Sequence, residues 1–265
     1  MGFRRFQTMA KRSLLKLVTL DVTNTLIKVR GSPGRQYALI GHKHGVMADM
    51  NLLNELFYKY YKDHSKRFPN FGAQNMMPAY IWWSLLVKDC FRSADPTIGE
   101  ETLSKIANDL YFHYTTPNAW EILPGAVSAI QDLRQYPVRI GVVSNWDHRL
   151  YKVLLTMKLR SYFDFVLPSY IIGAEKPDSA IFQQALKDAN CLPEEAIHFG
   201  DSIEKDFLGA RRVGMGAYLL AHTNIFEEFI DKKFVVKSVP EFVEAIRPRL
   251  EEANIHNRAS SVKHL

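Results

Sequence analysis

The chain is poor in cysteine and contains no long apolar run. Its 265 residues include two cysteines, Cys90 and Cys191, which match neither a disulfide framework nor a paired metal-ligand spacing. We expect both to be buried free thiols in a reducing compartment. No apolar stretch approaches the roughly 18 to 20 residues that span a bilayer, which argues against a transmembrane helix. The sequence has no internal repeat and no low-complexity tract.

The first 16 residues contain no acidic side chain. They carry five basic residues and contribute +5 to a formal net charge of +6, so the rest of the chain is near +1. That body lacks the excess basic charge of nucleic-acid-binding proteins, and we expect neither nucleic acid nor membrane as a partner. The basic tail, residues 1–14, weakly resembles a mitochondrial presequence. The cytosol is the default expected location, with the nucleus and the mitochondrion as alternatives.

Apolar runs alternate with amphipathic segments through much of the chain. Mostly apolar runs, typical of buried parallel strands, occur at residues 14–22, 138–145, 163–169, 196–201 and 216–222. Helical periodicity covers residues 123–135, 147–159, 177–190 and 203–214. Strands that alternate with helices predict parallel crossovers and an α/β fold with a doubly wound, Rossmann-like sheet. An edge strand at 234–238 and a closing helix over 239–253 are predicted to complete it.

Residues 30–120 break this alternation. Their periodicity predicts helices without an intervening strand, at residues 34–46, 50–68, 78–91 and 100–114. We therefore predict a helical cap at 30–120, inserted into a core formed by 15–29 and 121–250, with a C-terminal tail at 251–265. Trp82 and Trp83 are expected in the core of this bundle.

Polar side chains stand where the predicted strands end. In an open α/β sheet, ligands bind beyond the carboxyl ends of the strands. One such residue would indicate only a turn or a helix cap, but together they supply carboxylates, a lysine and a hydroxyl. The residues at these ends are Asp21, Ser144, Asn145, Glu175, Lys176, Asp201 and Asp206.

Three of these carboxylates require a cation if they converge. Asp21, Asp201 and Asp206 would otherwise repel one another, and an all-oxygen ligand set suits Mg²⁺. With Lys176 and the hydroxyl of Ser144 added, such a site could neutralise a phosphoryl group and hold it for attack by Asp21. The expected partner is a small phosphorylated metabolite.

This constellation resembles the haloacid dehalogenase-like hydrolase superfamily. Its four motifs are matched in order by "LDVTNTL", "VVSN", "AEKPD" and "HFGDSIEKD". The helical insert between the first two motifs is similar to the cap of the superfamily's first cap class. The shorter strings "DVTNTL", "FPNFG" and "SNWDHRL" resemble one subgroup of that superfamily.

The resemblance implies a role for each matched residue. Asp21 would be the nucleophile that forms an aspartyl-phosphate, and it would bind Mg²⁺ together with the backbone carbonyl of Thr23. Lys176 would pair with Asp21 and the phosphate. Asp201 would ligate the metal, and Asp206 would either ligate it or orient a ligand.

The second motif would supply the phosphate contacts. Ser144 would donate a hydrogen bond to the phosphoryl oxygens, with help from the backbone or the amide of Asn145.

Thr23 departs from the phosphatase pattern. Phosphatases of this superfamily carry a second aspartate there, which protonates the leaving oxygen and then activates water. A threonine hydroxyl is neutral and far too weak an acid for either task. General acid–base catalysis is typically worth about 10² to 10⁴ in rate, so esters with a poor leaving group should suffer most.

Three functional hypotheses follow. The first is a Mg²⁺-dependent phosphatase that is slow, or that uses a substrate with a good leaving group or a proton donor from the cap. The second is carbon-centred chemistry, either dehalogenation or phosphonate hydrolysis. Asp201 weighs against a true dehalogenase, and phosphonate hydrolysis would need a cap lysine. The third is a non-catalytic relative that binds Mg²⁺ and phosphate. The cap-lysine candidates are Lys59, Lys62, Lys66 and Lys88.

Two arginines just after the first motif are candidates for substrate contact. Arg30 and Arg35 stand where the cap begins, and either could meet a second anionic group of the substrate. For each of them, a solvated surface charge is the commoner role of an arginine at such a position.

Overall fold

The strands form one large sheet and one small ribbon. The structure, a computed structural model, describes residues 13–221 and 230–262, with side chains up to 258. A six-stranded sheet has the order β5-β4-β1-β6-β7-β8, and every neighbouring pair in it is parallel. This confirms the predicted doubly wound α/β sheet. The strands are β1 Leu17–Leu20, β2 Ile27–Val29, β3 Trp120–Ile122, β4 Arg139–Ser144, β5 Phe165–Pro168, β6 Ala196–Gly200, β7 Gly216–Leu220 and β8 Val235–Val236.

Helices cover the sheet and form the insert. The side chains of β1 and β6 are buried throughout, as the mostly apolar runs predict. The helices are α1 Pro33–Lys43, α2 Met50–Arg67, α3 Ala79–Ala94, α4 Glu100–His113, α5 Ala126–Leu133, α6 Leu150–Thr156, α7 Ser169–Ile172, α8 Ser179–Ala189, α9 Gly209–Arg212 and α10 Val239–Val262, and a π-helical segment spans Ile203–Leu208.

The insert, comprising α1 to α4, has its own hydrophobic core. Trp82 is fully buried in it beside Phe91 and Leu53, as predicted. Trp83 is only partly buried, packs at the edge of this core and faces a cavity. Local signals set the helix starts: Ser32 caps α1 by accepting from the backbone N–H of Arg35.

The small ribbon pairs β2 with β3 in antiparallel register, and the sequence patterns did not predict it. Val29 lies opposite Trp120, and Lys28 forms an ion pair with Glu121 at 3.0 Å. Three-residue strands are too short to establish a period of two, which explains why they were missed. The ribbon lies where the chain leaves the sheet for the insert and where it returns.

The C-terminal helix is longer than predicted. α10 continues past residue 253 to Val262, so much of the expected tail from residue 251 lies on this helix. The polar residues after Ala253 include neither glycine nor proline to end it. The basic N-terminal tail up to residue 12, with its targeting interpretation, lies outside the described residues.

Two further expectations concern cysteine and membranes. Cys90 and Cys191 are both free; Cys90 is buried as predicted, whereas Cys191 is only half-buried. Within the described ranges, none of the helices combines the length and apolar character needed to span a bilayer.

Candidate active site

The strand topology brings the predicted polar residues to one edge of the sheet. β1 lies between β4 and β6, so Asp21, Ser144 and Asp201 emerge side by side at the carboxyl ends of these strands. The Ser144 hydroxyl donates to Asp21 Oδ1 at 2.8 Å. Asp21 Oδ2 accepts only a long hydrogen bond, 3.4 Å from the Thr25 hydroxyl, so it is the less engaged oxygen.

Lys176 reaches this edge from the loop after β5 and α7. Its ammonium donates to Asp21 Oδ1 at 2.6 Å, to Asp206 Oδ1 at 2.5 Å and to the Val143 carbonyl at 2.9 Å. Burial by itself would lower the pKa of Lys176, but Asp206 and Asp21 outweigh it and raise the pKa above its ordinary value. A lysine that is 2% exposed therefore remains a cation next to Asp21.

Asn145 holds the backbone of the lysine loop. Its amide nitrogen donates to the Lys176 carbonyl at 2.9 Å, and its amide oxygen accepts from the Lys176 N–H at 2.7 Å. Both ends of the amide are therefore used on one backbone unit. The geometry therefore does not favour the predicted phosphate contact through this amide. It favours a role for Asn145 in positioning Lys176.

A buried polar chain continues behind Lys176. Asp206 Oδ1 also accepts from His198 Nε2 at 3.0 Å, and His198 Nδ1 lies 2.8 Å from the Thr19 hydroxyl. Burial lowers the pKa of His198 despite Asp206, so we assign a neutral ring that donates from Nε2 and accepts at Nδ1. Neither Thr19 nor His198 was predicted from the sequence. A histidine inside the apolar run "AIHFGD" was the available signal, because a buried polar side chain needs a partner.

The three predicted carboxylates do converge. Asp21, Asp201 and Asp206 each offer an oxygen, and these oxygens lie within 4.8 Å of one another. Burial, then Asp21 and Asp206, raises the pKa of Asp201 to about 7. A cation among these oxygens would remove that repulsion, and an all-oxygen donor set fits Mg²⁺.

Asp206 contributes differently from the other two carboxylates. Burial alone would raise its pKa, but Lys176 and His198 outweigh burial and hold the pKa far below its ordinary range. Its Oδ2 accepts from the Ser202 N–H at 2.9 Å, and its Oδ1 accepts from Lys176 and His198. Both oxygens are engaged, which favours Asp206 as a residue that orients the site over Asp206 as a direct ligand.

Thr23 lies beside Asp21 and is hydrogen-bonded to Trp146. The Trp146 indole N–H donates to the Thr23 hydroxyl oxygen at 2.7 Å. Because an indole nitrogen only donates, the hydroxyl hydrogen of Thr23 is directed to some other acceptor. Thr23 can thus donate a hydrogen bond in this site, but it offers no titratable proton at neutral pH. The predicted metal contact of its backbone carbonyl stays a prediction.

A cavity of about 500 Å³ extends from this edge to the insert. Its walls combine Asp21, Ser144 and Lys176 with side chains from the insert and the ribbon. Aromatic rings form much of the wall: Phe57, Tyr58, Tyr61, Phe71, Trp83, Tyr114, Trp120 and Trp146.

The basic residues of the cavity differ from those expected. Neither Arg30 nor Arg35 lines it: the Arg30 guanidinium donates to the Trp120 carbonyl at 2.7 Å, and Arg35 is exposed at the start of α1. The cavity lining therefore gives no support to a substrate contact at either position, which stays a prediction. None of the four candidate cap lysines lines this cavity. Besides Lys176, the basic residues that line it are Lys28, Arg149 and Lys205.

Arg149 belongs to a buried contact between the sheet and the insert. Its guanidinium pairs with Asp147 at 2.7 Å, donates to the Tyr111 carbonyl at 2.9 Å and lies 3.9 Å from the Tyr111 ring centroid. The Trp83 indole N–H donates to Asp147 at 2.7 Å. α6 begins at Leu150, three residues later than predicted, and the Asp147 side chain accepts from the Arg149 N–H in the turn that precedes it.

The segment "FPNFG" forms a second contact between the insert and the sheet. Asn70 and Phe71 both have left-handed backbone conformations, with φ of 51° and 55°, which are uncommon outside glycine. The Asn70 amide donates to the Ser169 carbonyl at 2.9 Å, and its N–H donates to Glu175 at 3.2 Å. These bonds hold the strained turn and place Phe71 in the cavity wall.

Known proteins of one family resemble the chain over most of its length. A family profile described as haloacid dehalogenase-like hydrolase matches residues 15–214. Haloacid dehalogenase-like hydrolase domain-containing protein 3 of Bos taurus is 38% identical over 213 residues, which cover 80% of this chain and 84% of that protein. The rhythmically expressed gene 2 protein of Drosophila melanogaster is 34% identical over 249 residues, which cover 88% of this chain and 96% of that protein.

Solved structures share the fold. The HAD-hydrolase YfnB from Bacillus subtilis, solved with bound magnesium, superposes with a TM-score of 0.67 at 15% identity and covers 89% of this chain and 100% of that one. The two named relatives match the subgroup that "DVTNTL", "FPNFG" and "SNWDHRL" indicated. The chain therefore belongs to the haloacid dehalogenase-like hydrolase family.

Proposed function

We propose that this protein is a Mg²⁺-dependent phosphohydrolase that acts through an aspartyl-phosphate. One observation carries the proposal: Lys176 and Ser144 both donate to Asp21 Oδ1 in a buried site beside Asp201. A nucleophile benefits from both, since they fix its orientation and can also meet the transferred phosphoryl oxygens.

The first step is displacement at phosphorus. An oxygen of Asp21 forms a bond to phosphorus as the bond to the leaving oxygen breaks, and the leaving oxygen departs with the electron pair. The ammonium of Lys176 and the hydroxyl of Ser144 offset the charge of the phosphoryl oxygens. Water then attacks phosphorus, which regenerates the Asp21 carboxylate and releases inorganic phosphate.

Asp21 and Asp201 would hold Mg²⁺, with Asp206 orienting the site. The bound ion would supply positive charge to the phosphoryl oxygens. The raised pKa of Asp201 supports this assignment, because a third carboxylate beside Asp21 and Asp206 is unfavourable without a cation.

Thr23 limits both steps. It can donate a hydrogen bond to the leaving oxygen, but it transfers no proton to it and takes none from water. We expect a slow enzyme that favours leaving groups stable as anions.

One observation favours a second candidate function. The neutral Thr23 also suits a protein that binds Mg²⁺ and phosphate without turnover. Phosphonate hydrolysis has less support, because none of Lys59, Lys62, Lys66 and Lys88 lines the cavity.

The test measures phosphate release from phenyl phosphate and acetyl phosphate with and without Mg²⁺. Wild type is expected to hydrolyse both only with Mg²⁺, and Asp21→Asn is expected to hydrolyse neither. Asp63→Asn is the matched control, because Asp63 is an exposed carboxylate on α2 that does not line the cavity. Mg²⁺ binding by calorimetry without any turnover would instead select the non-catalytic function.

A further inference from the structure

A continuous row of aromatic rings begins at Thr23. The indole that donates to the Thr23 hydroxyl belongs to Trp146, whose ring centroid lies 5.1 Å from that of Trp120 at a tilt of 42°. Tyr114 packs edge-on against Trp120 at 5.6 Å. All three rings line the cavity. We call the edge of the sheet at which Asp21, Ser144 and Asp201 meet the reacting edge. The surface next to this edge is therefore aromatic.

The insert adds a second group of rings to the same cavity. Phe71 and Trp83 stack at 5.8 Å with an interplanar angle of 20°, and Tyr61 lies 6.2 Å from Trp83. The strained turn at Asn70 and Phe71 and the hydrogen bond from Trp83 to Asp147 fix these rings against the sheet. The cavity is thus built from both sides with preformed flat apolar surfaces, which suit a planar ligand.

The leaving group must occupy this cavity. In phosphoryl transfer the attacking and leaving oxygens lie roughly in line with phosphorus, so the leaving group points away from the Asp21 oxygen that attacks. Asp21 is buried and lines the same cavity as the aromatic rings, so a leaving group that extends from phosphorus enters the space that these rings line.

Thr23 restricts which leaving groups can depart from phosphorus. Because Thr23 transfers no proton, the leaving oxygen must carry away the electron pair of the broken bond as an anion. A phenol ionises near pH 10, as tyrosine does, and an aliphatic alcohol is a far weaker acid. A phenolate can therefore leave unassisted where an alkoxide cannot.

We infer that the cavity selects phosphate monoesters of aromatic alcohols, whose ring packs against Trp146 and Trp120 while Asp21 attacks phosphorus. This inference rests on the proposed phosphohydrolase function. It adds recognition of the ring itself to the chemical requirement for a good leaving group.

The experiment separates ring recognition from leaving-group acidity. Phenyl phosphate is compared with hexafluoroisopropyl phosphate, whose alcohol is about as acidic as a phenol but has no ring. Wild type with Mg²⁺ is expected to show about a tenfold higher kcat/KM for phenyl phosphate, the ratio that one good aromatic contact supplies. As inhibitors, phenylphosphonate should bind more tightly than cyclohexylphosphonate, which has a similar size and no aromatic face.

Two variants locate the preference. Trp120→Leu is expected to reduce the ratio of the two kcat/KM values towards one, while Phe112→Leu should retain it, because Phe112 is exposed and does not line the cavity. If Trp120→Leu does not fold, the two wild-type comparisons still decide the question.

The outcomes distinguish a failure of the inferred substrate class from a failure of the proposed phosphohydrolase function. Equal kcat/KM for both esters, with equal inhibition by the two phosphonates, would overturn the inference and leave the phosphohydrolase standing. No Mg²⁺-dependent hydrolysis of either ester or of acetyl phosphate would overturn both.

Discussion

Replacing Thr23 by aspartate should extend the proposed phosphohydrolase activity from esters with good leaving groups to alkyl phosphates. The side chain faces the cavity next to Asp21, and the Trp146 N–H, 2.7 Å from the present hydroxyl, can equally donate to a carboxylate oxygen. The new carboxyl therefore has an orienting partner already in place. Its nearness to Asp21 and Asp201 would favour the protonated form, which is the form that an acid catalyst needs.

The size of the gain follows from what a general acid contributes. Proton transfer in the transition state is typically worth about 10² to 10⁴ in rate, which corresponds to roughly 3 to 5 kcal/mol of barrier. An alkyl ester should receive most of this gain, because its alkoxide cannot leave unprotonated. Phenyl phosphate should gain far less in the first step.

The assay is kcat/KM with Mg²⁺ for ethyl phosphate and phenyl phosphate. Thr23→Asn is the matched control, because asparagine has the shape of aspartate and cannot transfer the proton. An equal gain from Thr23→Asn, or an equal gain on both esters, would refute the reasoning that residue 23 limits the reaction by its lack of a titratable proton.

Three further predictions concern the residues that support the site. Asp147→Asn leaves the buried Arg149 without an anion and should cost about 3 to 5 kcal/mol in urea unfolding near pH 7. Burial alone would raise the pKa of Asp147, but Arg149 outweighs burial and lowers the pKa below its ordinary value. The stabilisation by this ion pair is therefore present above about pH 4 and should be lost as pH falls further. A difference in stability between wild type and Asp147→Asn that persists undiminished in acid would contradict the ion pair. Gly200→Ala places a carbon 2.2 Å from Asp206 Cγ, so we expect lost activity and about 1 to 3 kcal/mol lower stability. Gly99→Ala is the control and should keep full activity, because its added carbon meets nothing within 4 Å. Asn145→Ala frees the backbone of Lys176 and should reduce kcat by about tenfold or more with little change in KM, a split that a purely structural residue would not give.

The sheet and the reacting edge were predictable from the sequence because topology determines them. Once the apolar runs are parallel strands, the residues that follow them must meet at one edge, and Asp21, Ser144 and Asp201 do so. Lys176 was placed by its motif, although its contacts with Asp206 and Val143 depend on how its loop folds.

The contacts of the insert were not predictable in the same way. Arg30 and Arg35 are close to Asp21 in sequence, but the direction in which the chain leaves the ribbon decides which side chains enter the cavity. Residues distant in sequence, such as Trp83 and Trp120, supply the walls instead. No local pattern encodes this arrangement, because it depends on the packing of one set of helices against a separate sheet.

The ribbon of β2 and β3 also bears on how such a protein can change over evolution. Val29 lies opposite Trp120, and the Arg30 N–H donates to the Ala119 carbonyl at 2.8 Å, so the two ends of the ninety-residue insert are neighbours in space. A stretch whose ends already meet can be lengthened, shortened or exchanged without moving β1 or β4. Specificity can then diversify by replacement of the insert as a module, while the reacting edge is inherited intact.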